Sequence, residues 1–179
     1  KNLHFQEQTD VPRGIGIVRS GLRDGLTEIC DKLAAKRSPD NFTRRNAMPR
    51  TKVAVPDVAE AGPDLWSNAI RAGDMLFISG QVARPFEGGL DLVGKDEYEQ
   101  TRQIFSRIDR IIKAAGGTMD NLVKMTIYVV DIRKNTEVWR ARREFFTGDF
   151  PASTLVEVRS LAKPEVLVEI EAVAYLGRG

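Results

Sequence analysis

The stretch Val166–Ala174, VLVEIEAVA, alternates so strictly that few structures can hold it. Val166, Val168, Ile170, Ala172 and Ala174 fall two apart, with Leu167, Glu169, Glu171 and Val173 between them. Side chains two apart on an extended chain share a face, so this is a strand with one wholly apolar face. Its other face carries two carboxylates among aliphatic neighbours. A carboxylate loses hydration among apolar groups, so the pair needs an explanation.

Upstream, strand and helix signals alternate. Asn68–Ala72 and Met75–Ser79 are joined by Gly73-Asp74, a two-residue hairpin turn. Gly88-Gly89 and Gly94 mark a loop. Asp96, three residues before Glu99 in capping-box spacing, opens a helix. Tyr98, Thr101, Phe105, Ile108, Ile112 and Ala115 give that helix a core stripe, widened by Ile104 and Ile111, and Gly116-Gly117 ends it. Leu122–Val130 is a β-rich run. A second helix is predicted from about Thr136 to Phe146, with Val138, Ala141, Phe145 and Phe146 inward. Pro151 then precedes a strand over Ser153–Val158. This order predicts an α+β fold built on hairpins, a mixed β-sheet with two helices on one face.

Length and charge narrow the classes further. A chain of 179 residues is enough for one well-packed domain and short for two. No apolar run approaches the roughly 18–20 residues that span a bilayer, so no membrane partner is expected. Residues 1–47 hold nine Lys or Arg against six Asp or Glu, and residues 48–179 hold eighteen against nineteen. The basic surplus is thus confined to the leader, and a nearly neutral remainder argues against a nucleic-acid partner. His4 and Cys30, the sole histidine and cysteine, also lie in the leader. From Met48 onward thiol nucleophiles, Ser-His-Asp triads and His/Cys metal sites are therefore excluded. One cysteine permits no intrachain disulfide, which fits a reducing cytoplasm.

The division expected is a leader, 1–47, and a main domain, 48–179. Within the leader Ile15, Val18, Leu22, Leu26, Ile29 and Leu33 are spaced as an amphipathic helix, and a polar, basic stretch follows them. The leader reads either as an extension ahead of a natural start at Met48 or as a native arm that packs on a partner. Its acidic residues argue against a transit peptide.

From about Lys52 to Tyr175 the chain resembles the RidA/YjgF family. The resemblance rests on Trp66-Ser67-Asn68-Ala69, on Gly73-Asp74-Met75-Leu76-Phe77-Ile78-Ser79-Gly80-Gln81, and on the helix from Gln103 ending in AAGG. It continues through Val123–Asp131, Phe145-Phe146, Phe150-Pro151-Ala152, Val156-Glu157-Val158 and Val168–Ala174. No single piece is decisive; their order and spacing make the joint signal. The resemblance implies a chorismate-mutase-like fold and a homotrimer with clefts between subunits. It also implies hydrolysis of reactive imines and enamines such as 2-aminoacrylate, without metal or cofactor.

Residue by residue, the resemblance gives Glu169 the role of the acidic group that positions the attacking water. The alternative is a solvated or salt-bridged strand glutamate; Glu171 reads as structural. Ser79 and Gly80 match the hairpin end whose backbone meets the substrate, or else form a plain strand-end turn. Trp66 falls where relatives carry a cleft tyrosine, so it either covers substrate or fills core. Ser153 and Thr154 follow Pro151-Ala152, where the best-known branch has an arginine that grips the substrate carboxylate. A hydroxyl at Ser153 cannot neutralise a carboxylate, so 2-aminoacrylate is not the expected substrate. Arg84 and Arg159 are the candidates to supply charge from elsewhere, or else lie on the surface. Three functions follow: a divergent imine or enamine deaminase, a non-catalytic trimer that binds a small metabolite, and a ribonuclease. The last is disfavoured by the near-neutral domain and its lack of histidines.

Overall fold

The computed structural model describes residues 49–177, so the helix expected in the leader lies outside the described residues. Strands β1 (Arg50–Lys52), β2 (Ala69–Ala72) and β3 (Met75–Gln81) lead into helix α1 (Glu97–Ala114). Strand β4 (Leu122–Val129), helix α2 (Asn135–Arg142), strand β5 (Ala152–Glu157) and strand β6 (Val168–Tyr175) complete the order. The strands form one sheet, β1-β2-β3-β6-β4-β5.

Local chemistry accounts for the elements. Gly73 takes φ 60° in the two-residue turn that pairs Ala72 with Met75, a backbone state glycine adopts without steric penalty. Asp96 caps α1, its carboxylate accepting from the Glu99 N–H at 2.8 Å. The reciprocal bond differs from the expected box: the Glu99 carboxylate accepts from the Lys95 N–H rather than from the cap residue. Helix α2 stops at Arg142, short of the expected Phe146. There the bonds tighten to Glu144 N–H onto Ala141 O and Phe145 N–H onto Arg142 O. That turn brings Phe145 and Phe146 to 5.3 and 5.7 Å from the Phe105 ring, and the aromatic cluster outweighs another helical turn.

The hairpin expectation holds for β2–β3 and fails at the other end. Strand β5 runs parallel to β4 across the α2 crossover, and β6 inserts between β3 and β4, antiparallel to both. Strands β3 and β4 therefore run the same way, joined by α1, with β6 filling the gap of a split βαβ unit. The short edge strand β1 was not expected, because Arg50-Thr51-Lys52 is exposed throughout and shows no alternation.

Both helices cover the same face. Leu76, Ile78, Met125, Ile127, Val129, Val168, Ile170, Ala172 and Ala174 meet Ile104, Phe105, Ile108, Ile111 and Ile112 of α1 in one core. Apart from the two alanines, each of these side chains contributes roughly 1.5–3 kcal/mol on leaving water. The opposite sheet face carries Phe77, Tyr128, Val156, Glu169, Glu171, Val173 and Tyr175 and has no covering layer among the described residues. Phe77 there is 48% exposed and Tyr175 43%.

Candidate active site

The strict alternation of β6 puts Glu169 on the uncovered face, while Val168 and Ile170 on either side are fully buried below it. Beside it the ladder breaks. Ile78 pairs with Ala172 and Gln81 with Ile170, so β3 spends one more residue than β6 over that span. The extra residue makes a bulge at Ser79-Gly80, which bends the strand and re-aims its groups. A Cβ on Gly80 would overlap the Glu169 carboxyl, lying 2.9 Å from its Cδ and closer still to Oε1. The glycine is what lets the carboxylate lie against the neighbouring backbone.

Burial, and then the charge of Glu171, push the Glu169 carboxyl above its ordinary range. Glu171 is more exposed and accepts from the Tyr128 hydroxyl at 3.3 Å. Ser79 is tied down on both sides: its hydroxyl donates to Ser67 O at 2.7 Å, its N–H to Asn68 O at 3.0 Å. Gln81 donates to Ser79 O at 3.0 Å and accepts from Arg107 Nε at 3.3 Å. The bulge is thereby held between β2 and α1.

These groups edge a cleft of about 480 Å³ whose walls include Trp66, Ser79, Gly80, Arg84, Arg107 and Glu169. Trp66 is 51% exposed at this cleft, so it is not a core residue. The structure thus brings together Trp66, Ser79, Gly80, Arg84 and Glu169 of the residues singled out from sequence. Ser153 and Thr154 stand apart on β5, two strands from β6 and so about 10 Å away within one chain. Thr154 accepts there from Lys124 Nζ at 2.7 Å, and Ser153 is exposed at the sheet edge. Arg159 is exposed and outside the cleft walls.

Two charged lining residues, Arg107 and Glu60, escaped the sequence reading. Arg107 is only 5% exposed and comes from the core side of α1. Its spacing held a signal: it falls three after Ile104 and four before Ile111, a cation on the apolar stripe. Glu60, in the loop before β2, also reaches the cleft. One of its oxygens accepts from Asn68 N–H and pairs with Lys52, while the other is buried without a partner. Nothing in the sequence around Glu60 marks it.

A glutamate of raised proton affinity beside a glycine bulge, in a cleft between a strand and a helix, marks a candidate small-molecule site in a two-layer α+β protein. The endoribonuclease L-PSP family pattern matches residues 59–176. A RutC family protein of Pyrococcus horikoshii is 39% identical over 110 residues, covering 62% of this chain and 86% of its own. A structure of the conserved Rid protein family from Yersinia pestis is 34% identical with a TM-score of 0.66, covering 71% of this chain and 99% of that one. RidA from a Psychrobacter species is 27% identical with a TM-score of 0.63, covering 70% and 99%. The chain belongs to the endoribonuclease L-PSP family, the RidA/YjgF family that its motifs resemble.

Proposed function

We propose that this protein deaminates a small reactive imine or enamine by hydrolysis, in a cleft completed between subunits of a cytoplasmic homotrimer. The observation that carries this reading is the Glu169 carboxylate, partly desolvated, lying over Gly80 beside an open cleft. A protonated imine carbon is already electrophilic, so the protein need only hold water near it and move a proton. Ionised Glu169 accepts a proton as water oxygen bonds to that carbon, giving a carbinolamine. The same carboxyl then protonates the nitrogen; as the C–N bond breaks, the carboxylate so restored takes the hydroxyl proton, and ammonia and a carbonyl product leave. No metal or organic cofactor enters these steps. Backbone groups of Ser79 and Gly80 line the path of the substrate, and Trp66 covers it.

The uncovered sheet face supports a trimer, since Phe77, Val156 and Tyr175 would leave water at an interface between copies. In such an assembly Ser153 and Thr154 approach the cleft from a neighbouring copy. With Ser153 where an arginine grips the carboxylate in the best-known branch, the substrate is expected to differ from 2-aminoacrylate or to bind it differently. The same serine favours a second reading, a trimer that binds a small metabolite without turnover. Ribonuclease chemistry, which the family description names, has weaker support: the near-neutral domain offers no basic surplus for a phosphate backbone.

Imines generated in situ by an amino-acid oxidase test the reading. Faster imine decay and ammonia release than in buffer are expected for at least one. A trimeric sample that accelerates none, while a tight ligand raises its melting temperature, would leave the binding reading in its place.

A further inference from the structure

Arg107 is buried yet faces no acidic partner among the described residues. Its Nε donates to Gln81 Oε1 at 3.3 Å, and its Nη1 to Pro85 O at 2.8 Å and Arg84 O at 3.4 Å, all neutral acceptors. Nη2 makes no hydrogen bond among the described residues and is not among the atoms sealed from water without a partner. No ion pair among the described residues includes Arg107 or Arg84. Both nonetheless line the cleft, on the wall built by α1 and the loop after β3. Burial, and the repulsion of Arg84, make the Arg107 charge harder to hold. A desolvated cation beside a second cation is a costly arrangement unless an anion relieves it.

Glu169 does not supply that relief. It lies in the same cleft but is paired with neither arginine, and its proton affinity is raised rather than lowered. Glu60 is engaged with Lys52. The cleft therefore has a cationic wall and, also in its lining, a carboxylate that favours its proton. We infer that Arg84 and Arg107 form an anion subsite that holds a carboxylate-bearing ligand, with its opposite end presented to Glu169. A planar guanidinium suits a carboxylate, and Nη2 of Arg107 together with Arg84 gives donors to both oxygens. The charge lost at Ser153 would then be replaced from within one chain, from the helix side of the cleft. This assignment rests on the proposed function only for what the far end of the ligand does.

The test uses a neutral isostere and the full-length protein. Pyruvate and pyruvamide have the same shape and differ in charge, so calorimetric titration of each reads the anion preference alone. Pyruvate is expected to bind about tenfold or more tightly than pyruvamide. Arg84→Gln and Arg107→Gln should each remove that preference, and Arg107→Lys should keep part of it. Arg107 also anchors the loop carbonyls, so Arg107→Gln tests folding as well; Arg84→Gln makes the test without that burden. Equal affinities in the wild type, a preference that survives Arg84→Gln, or no pyruvate binding below about 10 mM would each overturn the subsite. Imine turnover is scored separately. Carboxylate preference without turnover sinks the hydrolase and keeps the subsite, and turnover of neutral imines without carboxylate preference does the reverse.

Discussion

At the scale of single residues, Glu169 sets protein stability against chemistry. Its carboxyl is raised above the value it would have in the unfolded chain, so ionisation opposes folding. The stability tied to its protonated form is whole below the unfolded pKa and is lost as pH rises through the folded one. Glu169→Gln is therefore expected to melt a few degrees higher than the wild type near neutral pH. That advantage should vanish below about pH 4, where the wild-type carboxyl is protonated in both states. The same variant should lose any imine hydrolysis by about a hundredfold or more. Calorimetric scans at both pH values and an ammonia assay check it, and unchanged melting at neutral pH would mean that the side chain is solvated. The strict period of β6 made its face legible in the sequence. The bulge that brings Gly80 beneath it was not legible, because it is a mismatch between two strands far apart in the chain.

At the scale of elements, local signals held where they were self-contained. Asp96, Gly73 and the apolar stripe of α1 each act within a few residues, and the structure shows each in use. Asp96→Ala removes the acceptor of the Glu99 N–H and should cost about 1 kcal/mol, a drop of about 3 °C in melting temperature. Denaturant titration reads this as a lower midpoint with an unchanged slope. The end of α2, the orientation of β5 and the position of β6 are settled by tertiary partners instead. Phe105 draws the aromatics of the α2 end out of helical geometry, and β5 follows β4 in direction because α2 carries the chain back along the sheet. Arg107 shows the converse error. Its place on the apolar stripe was readable, but the surrounding isoleucines drew the reading towards core alone.

At the scale of the whole molecule, one layer of helices leaves half of the sheet surface without a cover among the described residues. Phe77 sits opposite Val173 on that face. If copies associate there, Phe77→Asp should convert a trimer to a monomer with its circular dichroism unchanged. Analytical ultracentrifugation decides this, and a wild type that sediments as a monomer would remove the shared cleft altogether. Such an association was expected only from the family resemblance, because the surfaces it would use lie in another copy and leave no pattern in one chain.

The topology also orders events during synthesis. Strand β6 leaves the ribosome after every other strand of the sheet, yet it lies between β3 and β4 and pairs with both. Until it arrives, the nascent chain exposes two unpaired strand edges and the floor of the core, a state open to mispairing and to chaperones. The carboxylate at the cleft comes on that same strand, so no nascent intermediate can hold a finished cleft before the sheet closes.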